Sequence, residues 1–370
     1  MGQKNISKFM QEAVELADQS IPFAYPNPAV GAIITKNNKI IGKGHTAHFG
    51  GSHAEVKAIN SVKQKKLLTG STLYTTLEPC CHVGKTPPCT DAIIKSGIKK
   101  VFVGIVDPDR QVAGAGIKAL QRAGILVKTG DGVELIQSQL LPYLYSRTNQ
   151  LPFMTVKLAA SIDGKIATSS GNSQWISGKQ SRLIVHQMRK KVDAVLVGSQ
   201  TVIKDNPNLT ARYGKKLYKN QPTRIAIDSN GIIPIGSNIF NKDAKTLIMT
   251  TTSSSTKWRT AIKKKGHDYI IIPKKSNKVD LYKCAQALHD LGMIHVLVEG
   301  GGKLIGALIK RELITKMNVF YAPKIIGNKN AINMIDGLKL NYANQALQLS
   351  ELSYQLVGKD ISITATIKYH

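Results

Sequence analysis

The chain has 370 residues, 51 Lys and Arg against 23 Asp and Glu, a formal net charge of +28 and 42% hydrophobic residues. That length exceeds one ordinary core and predicts two domains, and the apolar content excludes a mostly disordered chain. Four cysteines exclude a disulfide scaffold, and no run approaches the roughly 18 to 20 apolar residues that span a bilayer.

The chain opens with Ile6, Phe9, Met10, Ala13, Val14 and Ala17 at helical spacing, without the apolar core or cleavage site of a secretory signal. After Gly2, Ser7 falls one position too late for the usual acylation pattern. A cytoplasmic location and no membrane contact are expected. AVGAIITKNNKIIGKGH reads as two strands joined at Asn37 and Asn38, residues that tolerate the positive φ of a tight turn. HAEVKAINSVKQ then reads as a helix, STLYTTLEP as a strand, DAIIKSGI as a helix, KKVFVGIVDP as a strand, GIKALQRAGI as a helix and LVKTG as a strand. This alternation predicts an α/β sandwich whose sheet is largely parallel and covered on both faces.

Between Tyr145 and Pro152 the pattern restarts, because polar YSRTNQ precedes apolar LPFMTVKLAAS. The boundary is placed near residue 149, giving domains 1–149 and 150–370. The second domain is again α/β, through SRLIVHQMRKK, DAVLVGS, TRIAIDS, KTLIMTT, DYIIIP, DLYKCAQALHDLG and IHVLVEGGG, with MNVFYAPKII and ISITATIKY as its last strands. TTSSST reads as a solvated loop, and Cys284 as a buried core thiol. The lysine runs near 63–66, 215–219 and 263–265 are short, scattered and free of interleaved aromatics. They predict a solvated surface and no nucleic-acid partner, although such a field steers small anionic substrates.

Chemistry concentrates first around His53, Glu55, Cys80 and Cys89. A hydrolytic zinc site takes three protein ligands and keeps one position for water, whose pKa it lowers towards about 7. One imidazole and two thiolates supply that set, and a non-ligand Glu moves protons between the water and a leaving amine. Eight residues separate Cys80 from Cys89, where nucleic-acid deaminases have a short Cys-x-x-Cys. Cys81 and His82 are alternative ligands by residue type. Cys80 is favoured because it follows a strand and Pro79. A closed structural site with His82 as fourth ligand is the competing reading.

The second centre gathers around IHVLVEGGGKLIG, a strand running through glycines into a helix. Free N–H groups at a helix N-terminus suit a phosphate, but the run is not GxGxxG, and a tight structural turn competes with that reading. Likewise Asp163-Gly164 and Asn206-Pro207 have ordinary roles as turns.

With these motifs in place, PNPAVG, GGSHAEVKAI, TLYTTLEPCCHVGKTPPCTDAI and VGIVDPDRQVAGAGI together resemble the deaminase half of the bifunctional deaminase/reductase family of riboflavin biosynthesis. VKLAASIDGKIAT, NSQWIS, VGSQTVIKDNPNLTAR and LVEGGGKLIGALI resemble its reductase half. The resemblance implies a cytidine-deaminase-like α/β/α sandwich followed by a dihydrofolate-reductase-like α/β domain. It implies Zn2+ on His53, Cys80 and Cys89, Glu55 as proton shuttle, and Asn27 on the substrate. Many relatives carry His where Thr46 stands, with His45 and His48 beside it here. In the second half it implies Ala159, Trp175, Thr201, Asp205, Ser229 and Gly301, Gly302, Lys303, Leu304, Ile305 and Gly306 along NADPH. Ser173, Arg189, Asn208, Arg212 and Glu299 are implied as substrate contacts. Arg189 and Arg212 suit a 5′-phosphate, while Lys157 and Glu299 manage the proton.

The implied substrate is 2,5-diamino-6-(ribosylamino)pyrimidin-4-one 5′-phosphate, deaminated and then reduced to 5-amino-6-(ribitylamino)uracil 5′-phosphate. A homo-oligomer is a further expectation. The rivals are a nucleic-acid deaminase, which the long CHVGKTPPC loop opposes, and a non-catalytic scaffold, which Glu55 and Lys157 oppose.

Overall fold

A computed structural model describes residues 6–84 and 86–369, so the acylation reading at Gly2 lies outside the described residues. Two compact units follow one another, residues 1–151 and 152–370.

The first unit comprises α1 (Lys8–Ala17), β1 (Gly31–Lys36), β2 (Lys39–His45), α2 (Ala54–Ser61), β3 (Thr72–Leu77), α3 (Cys89–Lys95), β4 (Lys100–Ile105), α4 (Ala115–Arg122), β5 (Leu126–Thr129) and α5 (Val133–Asn149). Its sheet runs β2-β1-β3-β4-β5. Asn37 and Asn38 take φ of 49° and 60° and close the β1–β2 hairpin. The β1–β3 pair is also antiparallel, whereas β3–β4 and β4–β5 are parallel. The sheet is therefore mixed rather than largely parallel. The hairpin spends two strands before any crossover helix intervenes, and only the later strands enter through helices.

Five successive residues of β1 are buried. Because neighbouring strand residues point to opposite faces, both faces of this strand are covered. Glycine sets the closest helix contact here. A Cβ on Gly44 of β2 would stand 2.2 Å from the Ala54 carbonyl oxygen of α2. The helix that opens with the candidate site residues thus rests directly on strand backbone. Helix α1 begins at Ser7, whose hydroxyl accepts from the Met10 N–H (3.3 Å), and buries Met10, Ala13, Val14 and Ala17. Helix α5, for which the sequence pattern carried no expectation, buries Ile136, Leu140 and Tyr143 at helical spacing despite Pro142 in its interior.

The second unit contains β6 (Phe153–Ser161), α6 (Lys179–Lys190), β7 (Ala194–Gly198), α7 (Ser199–Asp205), β8 (Thr223–Ile227), β9 (Thr246–Thr250), α8 (Thr256–Lys264), β10 (Asp268–Ile271), α9 (Leu281–Asp290), β11 (His295–Val298), α10 (Gly302–Ile309), β12 (Lys316–Ala322), β13 (Gln348–Val357) and β14 (Asp360–Lys368). These nine strands form one sheet in the order β10-β9-β8-β7-β11-β6-β12-β14-β13. The pairs from β10 to β12 are parallel, and β14 and β13 add an antiparallel edge. Val195, Val197, Ala226, Ile248, Leu297 and Ile262 meet in one core. Cys284 is buried, 2% exposed.

Arg224 on β8 is fully buried. Its guanidinium donates to the carbonyl oxygens of Asn208 (3.4 Å), Asn238 (3.3 Å), Asn241 (2.7 Å) and Ala244, and to Asn241 Oδ1 (2.7 Å). It ties the segment after α7 to the turn before β9 mostly through main-chain oxygens, with Asn241 Oδ1 the one side-chain acceptor. Among the described residues no helix is long and apolar enough to cross a membrane.

Candidate functional site

His53 stands at the N-cap of α2 with extended backbone, and its side chain makes no capping bond, so the ring is free for other work. Cys80 follows β3, and Cys89 opens α3 behind Pro88. His53 Nδ1 lies 3.1 Å from Cys89 Sγ and 3.4 Å from Cys80 Sγ. One ligand atom from each of the three falls within 4.8 Å of the others. Two thiols and one imidazole at this separation fit a tetrahedral zinc with one position left over. Cys81 turns aside, its thiol 4.0 Å from the Gln111 carbonyl oxygen.

The electrostatics are those of a ligand set. The hydrogen bond from Cys89 and the His53 ring hold the Cys80 thiol down at about 4. The bond to Cys80 in turn holds His53 up. Glu55 lies in the first turn of α2, 3% exposed, and accepts from Thr75 Oγ1 (3.3 Å). Burial, and then the charge of Cys80, push its carboxyl above the ordinary range, as a group that must carry a proton needs.

His53, Glu55 and Cys80 border a cleft of about 200 Å³ that Asn27, Thr46, His82, Asp107, Tyr143 and Arg147 also line. Thr46 is spoken for: its hydroxyl donates to the Pro28 carbonyl (3.0 Å) and accepts from the Val30 N–H (3.0 Å). His45 bonds instead to Ser20 Oγ (3.1 Å), while His82 lines the cleft with its Nδ1 buried and without a partner among the described residues.

Four further lining residues were missed in the sequence. Glu78, 3% exposed, accepts the N–H groups of Asp107 (3.2 Å), Gly114 (2.9 Å) and Ile117 (3.1 Å), and so anchors the loop after β4. Asp107 accepts the Tyr143 hydroxyl at both carboxylate oxygens (3.1 Å each), and burial lifts it to about 6. Tyr143 and Arg147 come from α5, one turn apart. Only the Glu-Pro-Cys adjacency of Glu78 to Cys80 offered a hint.

In the second unit, Lys157 on β6, Arg189 on α6 and Glu299 just beyond β11 form one cluster. Arg189 grips Glu299 with two bonds, Nε to Oε1 (2.6 Å) and Nη2 to Oε2 (2.9 Å), and its Nη1 reaches the Thr210 carbonyl (3.0 Å). Burial raises Glu299, but the Arg189 charge and hydrogen bonds, with Lys157, outweigh it and hold the carboxyl below its usual range. Burial, and then Arg189, lower Lys157 against the opposing pull of Glu299. Arg212 touches Thr210 Oγ1 (3.4 Å), leaving its fork freer than that of Arg189.

Thr201, Ser229 and the Gly301–Gly306 segment follow the C-terminal ends of β7, β8 and β11, which are parallel and therefore share one edge of the sheet. Ala159 lies on β6, and Asp205 closes α7 beside Asn206 and Asn208. A Cβ on Gly301 would meet nothing within 4 Å. One on Gly302 would stand 2.3 Å from the Asn333 oxygen, and one on Gly306 would stand 1.9 Å from the Asp336 oxygen. Gly302 and Gly306 thus have a packing reason of their own, and Gly301 faces open space. Lys303 is exposed, and Leu304 and Ile305 face inward. Ser173 and Trp175 lie in the loop before α6, with Trp175 62% exposed under the Arg182 guanidinium (4.5 Å). Ser229 is engaged locally, its Oγ accepting from the Val279 N–H (3.0 Å).

Comparison with known proteins adds two family models. One described as the RibD C-terminal domain matches residues 152–363, and one described as the cytidine and deoxycytidylate deaminase zinc-binding region matches residues 3–105. The riboflavin biosynthesis protein RibD of Chlamydia muridarum is 41% identical over 325 residues, covering 87% of this chain and 86% of its own. That of Aquifex aeolicus is 37% identical over 355 residues, covering 96% of each. Among solved structures, Acinetobacter baumannii RibD superposes with a TM-score of 0.87 at 31% identity, over 98% of each chain. The Thermotoga maritima diaminohydroxyphosphoribosylaminopyrimidine deaminase/5-amino-6-(5-phosphoribosylamino)uracil reductase gives 0.84 at 32% identity, over 97% of this chain and 98% of its own.

Proposed function

We infer residue roles from one premise: this chain belongs to the RibD family of riboflavin biosynthesis. It is a bifunctional enzyme with a zinc-binding deaminase domain and an NADPH-dependent reductase domain. Its substrate is the diaminopyrimidine ribotide, 2,5-diamino-6-(ribosylamino)pyrimidin-4-one 5′-phosphate, deaminated first and then reduced to 5-amino-6-(ribitylamino)uracil 5′-phosphate. The observation that carries this reading is the placement of buried Glu55 beside the His53, Cys80 and Cys89 cluster, on a cleft sized for a small molecule.

His53, Cys80 and Cys89 would hold the zinc, which when bound would supply an acidified water as nucleophile. Glu55, buried beside them, would accept a proton at its carboxylate and pass one to the departing amine, so that ammonia leaves and a ring carbonyl remains. Asn27 offers its amide to the pyrimidine edge. In the second domain NADPH supplies the hydride to C1′ of the opened ribose. Lys157, whose burial eases release of its proton, protonates the developing sugar hydroxyl. Glu299 stays ionised under Arg189 and orients it. Because Arg189 is committed to Glu299, Arg212 carries the larger share of the 5′-phosphate, with Ser173 and Asn208 beside it. Ala159, Trp175, Thr201, Asp205, Ser229 and the segment Gly301, Gly302, Lys303, Leu304, Ile305 and Gly306 border the cofactor. The domains are 1–149 and 150–370, the chain is cytoplasmic, it self-associates, and nucleic acid is no partner.

Ammonia release and NADPH oxidation test both sites at once. Glu55→Ala abolishes ammonia release yet still oxidises NADPH when given the deaminated intermediate, and Lys157→Ala does the reverse. No ammonia from wild type on this ribotide with zinc bound overturns the assignment.

A further inference from the structure

Four carboxylates line the deaminase cleft: Glu55, Glu78, Asp107 and Asp109. Glu78 is occupied by three backbone N–H groups, and Asp107 by the Tyr143 hydroxyl and the Asp109 N–H (2.9 Å). Asp109 accepts the Gln111 N–H (3.0 Å). Against this negative lining, Arg147 is the one Lys or Arg bordering the cleft among the described residues. Among the described lining residues, a phosphate dianion finds a fixed positive charge only at Arg147.

Arg147 is built to receive an anion. Its Nε lies 3.5 Å from Asp109 Oδ2, and its guanidinium carbon lies 5.2 Å from the Tyr143 ring centre. Those two contacts orient the fork without using its end. Neither Nη group has a hydrogen-bond partner among the described residues, and the side chain is 36% exposed. Two free, parallel N–H pairs are the donor pattern that binds phosphate bidentately. A fully committed ion pair would spend two nitrogens of the fork on the carboxylate, as buried Arg189 does on Glu299. Helix α5 sets the geometry, since Tyr143 and Arg147 are four residues apart and share a face.

We propose that Arg147 is the phosphate-binding residue of the deaminase cleft, holding the 5′-phosphate of the ribotide while Asp109 and Tyr143 keep its guanidinium aimed. The proposal rests on the deaminase reading above and deepens it. It makes the deaminase half selective for a nucleotide-level substrate over the corresponding nucleoside.

The test compares ammonia release by zinc-loaded full-length wild type, Arg147→Ala and Arg147→Lys on the ribotide and on its dephosphorylated riboside. The readout is the ratio of kcat/KM between the two compounds. In Arg147→Ala that preference falls by roughly 10- to 100-fold, the range expected for losing charged hydrogen bonds to a phosphate. The loss appears in KM rather than kcat, and Arg147→Lys recovers part of it. A preference equal to wild type in Arg147→Ala overturns the proposal. So does an equal loss on both compounds, because that is the mark of a merely structural side chain.

A second arm needs no turnover. Ribose 5-phosphate is titrated calorimetrically into chains already carrying Arg212→Ala, which weakens the competing site in the reductase half. Arg147→Ala then reduces the remaining affinity at least tenfold, and unchanged affinity overturns the proposal. Wild type that binds ribose 5-phosphate through Arg147 yet releases no ammonia leaves the anion site standing and removes the deaminase reading instead.

Discussion

Glu78 shows how a single carboxylate shapes the cleft without facing the chemistry. Its oxygens hold the N–H groups of Asp107, Gly114 and Ile117, so Glu78→Ala strands three buried donors. A loss of the order of 3 kcal/mol follows, since each unsatisfied donor costs about 1 to 3 kcal/mol before relaxation. Deamination falls with the displaced loop and NADPH oxidation persists, which thermal unfolding and the two assays together reveal. Acid stability separates two neighbours at the start of β11. Burial, and then Lys316, lower His295 to about 4. The stability this gives is fully present above about 6.5, the unfolded value, and is lost as pH falls through about 4. Burial raises Asp193, which accepts the Ile294 and His295 N–H groups (2.9 Å each), to about 7. Its contribution runs the other way, complete below about 4 and lost as pH rises through about 7. On acidification from pH 7 to 4.5, His295→Gln therefore loses less melting temperature than wild type, and Asp193→Asn loses more. Parallel curves for all three remove this account. The cluster of His53, Cys80 and Cys89 was legible because a metal demands particular side chains in particular numbers. Glu78, Tyr143 and Arg147 act through backbone donors and tertiary neighbours, and nothing in local spacing announces that.

At the scale of elements, α2 carries the residues proposed for deamination, and its seat on β2 decides where His53 and Glu55 point. Gly44→Ala places a methyl 2.2 Å from the Ala54 oxygen, a contact that backbone cannot yield cheaply. The helix is pushed outward, at a stability cost of about 1 to 3 kcal/mol, typical of overpacking. Zinc content and ammonia release drop together, while NADPH oxidation with the deaminated intermediate continues. Full zinc occupancy in that variant would place the helix position under other control. The β1–β2 hairpin was readable because Asn-Asn marks a left-handed turn between apolar runs. Helix α5 was not, because Pro142 reads as a breaker while its buried stripe of Ile136, Leu140 and Tyr143 is diluted by polar neighbours. Helix α8 hid behind the serine loop that caps it, Ser255 accepting from the Trp258 N–H (3.2 Å). Strand β13 gave no alternation because nearly all of it is exposed.

That exposure belongs to the whole molecule. Leu349, Leu352, Tyr354 and Leu356 are between 47% and 78% exposed along a ten-residue edge strand. Long apolar edges are ordinarily paired or covered, which supports self-association through this hairpin. Leu352→Lys with Leu356→Lys yields a monomer by light scattering, with zinc content unchanged. An oligomer that survives the pair of lysines has its contact elsewhere. The division into two α/β units was foreseeable from the restart of the strand pattern near residue 150. The antiparallel β1–β3 pair and the antiparallel edge of the second sheet were not, since direction is decided by which strand neighbours which and not by the run of apolar residues.

Arg224 joins its two loops mainly by gripping backbone carbonyl oxygens, which every residue type supplies alike, with Asn241 Oδ1 as its one side-chain acceptor. Such an anchor is blind to side-chain identity except at Asn241, whose amide also reaches Asn208 Oδ1 (3.0 Å). Positions of the gathered segments outside these bonded amides are therefore free to change their chemistry while keeping their path. A mutational scan meets wide tolerance at Lys242 and almost none at Arg224. The fork that fixes the loop is also what leaves its surface open to revision.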